Sequence, residues 1–322
     1  MAIEWLRCGH YVYIVTSCRE SRAACILLYH LLLQKMKMLN LQLTPRETPR
    51  QVYLLDYDLE KAYMHLSKAA KEKSLFVIAD EVEFELSFRT FCNKLLLRVP
   101  DLHLWAASCF PANRLAGWQI STLTRPLRIP PVVIREAKKF EVPSAMAYKP
   151  REVPDHTDGP PVKRLCHGGK GHEGDRPSKC ITCGKELGSF LRSLRDVLPA
   201  ELVTSSTTTT STNSDISSPC LQWRDILVLH SSRVSEKMGV MMGLREIGIP
   251  VQVLEEDNIE DMATSCSDVV WVAEANYVCG LERKVIVWLD PHKSGYFFRF
   301  YFRSICTSQL VVVSPDTPAD EE

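Results

Sequence analysis

A short apolar segment that runs into two acidic residues constrains the fold of this chain more than any other feature. Leu75–Ala79 (LFVIA) shows no polar alternation and is followed directly by Asp80 and Glu81. Such a run is typical of a strand buried on both faces of a parallel sheet. Because open α/β sheets bind ligands at the carboxyl ends of their strands, Asp80 and Glu81 are candidate site residues. The simpler interpretation is a solvated acidic turn.

Strand and helix patterns alternate through most of the 322 residues, a length that suggests two domains. Predicted strands lie at 11–16, 52–55, 75–79, 102–106, 226–230, 250–254, 268–273, 284–289 and 309–313, and predicted helices at 2–6, 22–34, 59–71, 88–97, 185–197 and 234–247. Alternation of this kind predicts βαβ units and parallel sheets, which is an α/β fold. We place one domain at 1–140 and a second at 223–316.

Composition excludes several classes of function. Lys plus Arg and Asp plus Glu both number 39, so no overall positive field indicates nucleic-acid binding, although a local groove could still provide it. No apolar run reaches the roughly 18 residues of a membrane span, and the N-terminus lacks a signal-peptide layout. Twelve cysteines, mostly in apolar segments, indicate reduced thiols. We therefore predict an intracellular protein, cytoplasmic or nuclear, with no membrane partner.

Residues 141–200 break the α/β pattern and carry a candidate metal site. Cys180 and Cys183 have the C-x₂-C spacing of a zinc knuckle, and His172 and His167 precede them. These four residues lie within a 17-residue stretch and complete the tetrahedral N/S set that Zn²⁺ prefers. Cys166 is the alternative fourth ligand. The competing interpretation is a polar loop with incidental cysteines. A closed four-ligand site leaves no position for water, so the zinc would be structural.

Two further segments complete the predicted organisation. Proline residues between 143 and 161 suggest an extended connector ahead of the zinc-binding insertion. Residues 201–222 include a low-complexity Ser/Thr run that cannot bury enough apolar surface to offset ordering. We predict a disordered linker there, between the insertion and the second domain.

The order of these segments resembles superfamily 1 helicases of the UvrD/Rep type. In the first half, the acidic strand end at 80–81 is followed by the strand at 102–106 and by Leu-Thr-Arg-Pro-Leu-Arg at 123–128. In the second half, Gly280-Leu281-Glu282 precedes an apolar strand, and Ser-Gln-Leu-Val-Val-Val follows at 308–313. The resemblance covers most of the chain in segment order. It implies two RecA-like P-loop NTPase domains with parallel sheets.

The resemblance also implies roles for particular residues. Asp80 would hold Mg²⁺ and Glu81 would orient the attacking water, while Arg128 would contact the γ-phosphate of ATP. Gly280 and Glu282 would touch the nucleotide, with Glu282 near the ribose. The implied cofactors are ATP and Mg²⁺, and the implied partner is single-stranded nucleic acid. We expect these five residues to meet across an interdomain cleft. Without the resemblance, Arg128 is an ordinary arginine in a Pro-rich loop and Glu282 a solvated turn residue.

The catalytic motifs of the family are incomplete in this sequence. No Gly-Lys-Ser or Gly-Lys-Thr occurs, because Gly169-Lys170 and Gly184-Lys185 lack the following hydroxyl. The arginine finger of the closing motif is Ile305, and the third-motif region at 104–108 lacks its glutamine. A finger arginine alone contributes roughly 10³–10⁵ in rate. The chain is thus either an N-terminally truncated or a degenerate member. We expect an inactive ATP-dependent translocase on nucleic acid or, as the alternative, a pseudo-enzyme or protein-interaction module that retains the helicase fold.

Overall fold

A computed structural model describes residues 1–16, 22–41, 48–54, 59–71, 74–80, 82, 86–108, 117–121, 128–138, 158–196, 221–264, 266–290 and 305–315. The helices are α1 (Ala2–Arg7), α2 (Arg22–Met38), α3 (Leu59–Ala69), α4 (Leu86–Arg98), α5 (Pro131–Lys138), α6 (Ile181–Asp196), α7 (Gly239–Glu246) and α8 (Ile259–Thr264). The strands are β1 (Tyr11–Thr16), β2 (Arg50–Tyr53), β3 (Leu75–Ala79), β4 (Leu102–Ala106), β5 (Lys163–Cys166), β6 (Ile226–His230), β7 (Val251–Val253), β8 (Val270–Glu274), β9 (Arg283–Leu289) and β10 (Cys306–Ser314). None of these helices is both long and apolar enough to cross a bilayer.

The first sheet has the order β2-β1-β3-β4, and its described pairings are all parallel. Alternate residues of its strands enter different cores, because successive side chains of a strand point to opposite faces. Tyr13 and Val77 pack under α3 and α4, whereas Val12 and Phe76 pack under α1 and α2. The prediction that Leu75–Ala79 is a buried parallel strand is confirmed.

The second sheet has the order β5-β10-β9-β6-β8-β7 and is also parallel. Val228 and Val287 face a core that contains residues of α6 and α7. Leu227 and Ile286 face the opposite core, together with residues of α8. The predicted α/β fold with two parallel sheets is therefore confirmed, and each sheet is covered by helices on both faces.

The segment predicted as an insertion contributes structure to the second sheet. β5 pairs with β10 from Val311↔Lys163 to Ser314↔Cys166, and α6 packs on α7. α6 begins at Ile181 rather than at 185, and α7 begins at Gly239 rather than at 234. Residues 139–157 of the connector and 197–220, which include most of the predicted linker, lie outside the described residues. The domain boundaries stay predictions.

Helix α2 joins the two sheets. Ala23 and Ile26, near its N-terminus, belong to the core that also contains Met262 of α8. Cys25 belongs to a separate cluster with Ile14 of the first sheet. His30 Nε2 of α2 lies 3.5 Å from a carboxylate oxygen of Glu260 at the surface of α8. The carboxyl end of β1 is followed by this helix, so the second unit packs beside that edge of the first sheet.

Candidate metal centre

Four predicted metal ligands meet at the carboxyl edge of the second sheet. His167 follows β5, and its backbone N–H donates to the Ser314 carbonyl of β10 at 2.7 Å. Cys180 precedes the first residue of α6 and Cys183 lies in its first turn, with the Cys183 N–H donating to Cys180 Sγ at 3.4 Å. His172 lies in the loop between them. One ligand is therefore fixed by the sheet and two by a helix N-terminus.

Three distances between the ligand atoms match those of a tetrahedral site. The Nδ1 atoms of His167 and His172 each lie 3.3 Å from Cys183 Sγ, and His172 Nδ1 lies 3.6 Å from Cys180 Sγ. All four ligand atoms lie within 4.8 Å of one another. Zinc bonds of about 2.0–2.3 Å in tetrahedral geometry imply ligand–ligand distances of roughly 3.3–3.8 Å. The three distances given above fit these values, and the His₂Cys₂ cluster could hold a metal ion such as zinc.

Both imidazoles present the same nitrogen to the cluster. His167 Nε2 lies 3.1 Å from the Gly174 carbonyl, which requires an Nε2–H donor. His172 Nε2 lies 3.4 Å from a carboxylate oxygen of Glu186. Metal-binding histidines commonly donate their other N–H to a carbonyl or carboxylate, which fixes the tautomer. These two contacts therefore leave Nδ1 of each ring as the unprotonated ligand atom.

The two thiols differ in their electrostatic environment. Burial alone would raise the pKa of Cys180, but hydrogen bonds from the backbone of Cys183 and Glu173 lower it to about 6. Burial and the neighbouring Cys180 charge raise the pKa of Cys183 above its ordinary value. Without a cation, only one thiolate is thus favoured near neutral pH. A bound metal cation would supply the positive charge that stabilises the second thiolate.

Cys166, the alternative fourth ligand, is not part of the group. Among the described residues, the group that could hold a metal ion consists of His167, His172, Cys180 and Cys183. Cys166 is the last residue of β5. Since successive residues of an extended segment point to opposite sides, Cys166 and His167 cannot both face the same ion. The fourth ligand of the group is therefore His167 rather than Cys166.

The structure brings two of the residues implied by the helicase resemblance together. Arg128 Nε lies 3.0 Å from Glu282 Oε2, and both line a cavity of about 400 Å³ at the start of β9. The cavity is lined by Arg128, Arg224, Asp225, Glu282, Arg283, Lys284 and Thr307, four cations against two acids. Lys284 Nζ pairs with Asp225 at 2.8 Å. The lining therefore carries a net positive charge.

The other implied residues lie elsewhere or are not described. Asp80 follows β3, and its carbonyl oxygen lies 4.0 Å from Cys25 Sγ of α2. Asp80 is not among the described residues that line the cavity. Gly280 precedes β9 with a φ of 77°, a left-handed conformation that glycine adopts without strain. Glu81 and residues 122–127, which include Leu123, lie outside the described residues.

Sequence reasoning missed a buried polar cluster beside the metal ligands. Asp290 Oδ2 accepts a hydrogen bond from Ser178 Oγ at 2.5 Å and lies 3.4 Å from His230 Nε2. Burial alone would lower the pKa of His230, but its contacts with Asp290 and the Ser232 carbonyl raise it. Burial alone would raise the pKa of Asp290, but His230 and Ser178 lower it. The available signal was a polar residue at the end of each of two apolar strands, His230 as the last residue of β6 and Asp290 directly after β9.

Comparison with models of known protein families gives no match to this chain, and comparison with curated proteins gives no relative. The resemblance to helicases therefore rests on segment order and on the motifs quoted above. The fold and the candidate site define a broader class of protein than a helicase family. The chain is an α/β protein with two parallel sheets and one cluster of four potential metal ligands in the described residues.

Proposed function

We propose that the chain binds one structural Zn²⁺ ion through His167, His172, Cys180 and Cys183. The observation that carries this proposal is the mutual spacing of the four ligand atoms. Two thiolates and two imidazoles in tetrahedral spacing favour zinc over the hard cations Mg²⁺ and Ca²⁺, which prefer oxygen ligands. Four protein ligands leave no open position for water or substrate. The ion would therefore tie β5 to α6 and take no part in a reaction.

Metal content tests this proposal. Purified protein should contain about one equivalent of zinc, as expected for a single mononuclear site. The Cys180→Ser/Cys183→Ser double variant should contain almost none, measured by plasma emission spectrometry. Cys166→Ser is the matched control, because it removes a neighbouring thiol that the geometry excludes from the group. Equal zinc content in the wild type and the double variant would contradict the proposal.

A second proposal concerns the class of the whole chain. We infer a helicase-like origin with two RecA-like domains, predicted at 1–140 and 223–316 and the second completed by β5 and α6, that keeps the fold without ATP hydrolysis. The supporting observation is the ion pair between Arg128 and Glu282, two motif residues distant in sequence that the resemblance placed at one nucleotide site. The packing of the second unit beside the carboxyl edge of the first sheet agrees with that arrangement. ATP and Mg²⁺ remain cofactors implied by the resemblance.

The missing motifs favour an interaction module over a motor. The phosphate-loop lysine and the finger arginine both stabilise charge on the transferred phosphoryl group. The sequence contains no Gly-Lys-Ser/Thr, and position 305 is an isoleucine that is 4% exposed. A buried isoleucine cannot replace a cation at a phosphate. The net positive cavity could still bind single-stranded nucleic acid or another anionic partner without turnover.

We expect no ATPase activity from this chain. Steady-state phosphate release should equal the buffer background, both without nucleic acid and with single-stranded DNA or RNA. The control is the Asp80→Ala/Glu81→Ala variant, which should give the same background rate. Phosphate release that this variant abolishes would show a working site and would contradict the prediction. A rate that persists in the variant would instead indicate a contaminating enzyme.

A further inference from the structure

Ser178, His230 and Asp290 form a buried cluster that the metal site does not use for coordination. Their exposed fractions are 4%, 7% and 5%. One carboxylate oxygen of Asp290 interacts with the Ser178 hydroxyl at 2.5 Å and with His230 Nε2 at 3.4 Å. The opposite nitrogen, His230 Nδ1, lies 2.9 Å from the Ser232 carbonyl. The Asp290 carboxylate is thus held from both the sheet and the loop that precedes α6.

Asp290 and the first metal ligand are anchored to the same strand. The Asp290 N–H donates to the Val313 carbonyl at 3.1 Å, and the His167 N–H donates to the adjacent Ser314 carbonyl at 2.7 Å. Strand β10 lies between β5 and β9, so these two bonds fix both residues at one sheet edge. The position of Asp290 relative to His167 is therefore set by the rigid part of the molecule.

Ser178 connects this edge to the cysteine ligands. It lies in the 3₁₀ turn Pro177–Lys179, two residues before Cys180, and the Cys180 N–H donates to the Pro177 carbonyl at 3.0 Å. Displacement of this turn would displace Cys180 relative to His167. Ser178 and Asp290, which this hydrogen bond joins, are 112 residues apart in the sequence. This bond fixes the cysteine side of the cluster to the sheet.

The backbone of Asp290 has an unusual conformation that its neighbours maintain. Its φ is 53°, a left-handed region in which Asp and Asn are the best tolerated residues after glycine. The second carboxylate oxygen, Oδ1, is buried and has no hydrogen-bond partner in the described part of the chain. A buried acceptor without a partner costs free energy. The contacts of Oδ2 therefore have to offset two costs, the left-handed backbone conformation of Asp290 and the lost hydration of its Oδ1.

We infer that Asp290 is a positioning residue for the metal centre and acts through the Ser178 hydroxyl. This inference rests on the proposed zinc function and adds a residue that is not itself a ligand. Asp290 sets the distance between the turn that carries Cys180 and the strand edge that carries His167. Zinc affinity thus depends on the carboxyl edge of the second sheet as well as on the four ligands. Substitution of residues that orient metal ligands typically lowers metal affinity about 10- to 100-fold.

A double-mutant cycle on zinc affinity tests the inference. Ser178→Ala and Asp290→Asn should each weaken zinc binding about 10-fold in competition with a chelating indicator. Asn is chosen at 290 because it tolerates the left-handed backbone. The double variant should bind zinc no more weakly than Asp290→Asn alone, because Ser178→Ala only removes a bond to the carboxylate that Asp290→Asn has already replaced. In cobalt-substituted protein, both single variants should shift the visible absorption bands, which report ligand geometry.

The chain offers a matched control for loss of an Asp–Ser bond. Ser267 Oγ donates to Oδ2 of Asp261 in α8 at 2.7 Å, and α8 lies on the opposite side of the second sheet. Asp261→Asn and Ser267→Ala should leave zinc affinity and the cobalt spectrum unchanged. If Asp290→Asn fails to fold, Ser178→Ala alone decides the matter. Unchanged zinc affinity in Ser178→Ala, or additive losses in the double variant, would overturn the inference while wild-type zinc binding stands. A wild-type chain without zinc would overturn the proposed function itself.

Discussion

Removal of zinc from the wild-type protein is expected to lower the midpoint of thermal unfolding by roughly 10 °C. A ligand present at about 1,000 times its Kd stabilises the native state by about 4.1 kcal/mol. One kcal/mol shifts Tm by about 2–4 °C in chains of 150–250 residues, and somewhat less in longer ones. Binding to the unfolded chain would reduce the shift.

The structural reason for this effect is the position of the ligands. Cys180 and Cys183 are 0% and 1% exposed and belong to the same core as Leu187 of α6 and Val240 of α7. Without zinc, the Cys180 thiolate and the Cys183 thiol, whose pKa is raised, remain buried beside two partly buried imidazoles with no shared cation. The first turn of α6 and the loop from 167 would then lose their common anchor. Destabilisation should therefore extend into the α6–α7 layer.

Calorimetry with and without a strong chelator measures the shift. The Cys180→Ser/Cys183→Ser variant is the control, since its Tm should be low at the outset and insensitive to the chelator. Hydrogen exchange should show the lost protection in α6 and β5 first, and little change in β1 and β3. A wild-type Tm that does not respond to complete removal of the metal would contradict a structural role for zinc.

The sequence predicted the four-residue His₂Cys₂ cluster and most of the strands for a physical reason. Buried parallel strands are continuous apolar runs, so β3, β6 and β9 can be recognised without knowledge of their neighbours. The C-x₂-C spacing is a local property, and the two histidines lie within 13 residues of Cys180. Features that depend only on neighbouring residues can therefore be predicted from the sequence alone. The choice between Cys166 and His167 required the direction of β5, which the sequence leaves open.

Features that depend on long-range packing were missed. β5 pairs with β10 across almost 150 residues, so the candidate insertion could not be recognised as an edge strand. The Ser178–Asp290 bond joins residues 112 positions apart. The predicted start of α6 lies at residue 185, because Gly184 is assigned to the turn of the C-x₂-C motif. In the structure the helix continues through Gly184, since its missing side chain permits a close helix–helix contact.

Gly184 of α6 and Gly243 of α7 lie where the two helices approach most closely. Gly239 of α7 instead approaches the Lys179 carbonyl before α6, and Gly188 of α6 faces the side chains of Ile247 and Ile249. A Cβ on Gly243 would lie against the Ile181 carbonyl oxygen and 2.8 Å from Gly184 Cα. These are backbone atoms, which cannot rotate away as a flexible side chain could. The helices would have to separate.

Gly243→Ala is therefore expected to destabilise the protein, although alanine is the better helix former. The helix propensity of alanine would stabilise α7 by about 1 kcal/mol. Overpacking of a close-packed interior typically costs about 1–3 kcal/mol, and the rigid partners place this site at the upper end. We expect a net loss of roughly 2 kcal/mol, measured by urea unfolding of the zinc-bound protein. Because Cys183 directly precedes Gly184, zinc affinity should fall as well.

Met242→Ala is the matched control for this substitution. Met242 is the neighbouring residue of α7 and is 42% exposed, so its truncation removes little packing. Its free energy of unfolding should stay within about 0.5 kcal/mol of wild type, as surface substitutions usually do. The reciprocal variant Gly184→Ala should behave like Gly243→Ala, because its Cβ would meet the Val240 carbonyl and lie 2.9 Å from Gly243 Cα. A Gly243→Ala protein that is more stable than wild type would mean that propensity dominates and that α6 and α7 do not approach this closely in solution.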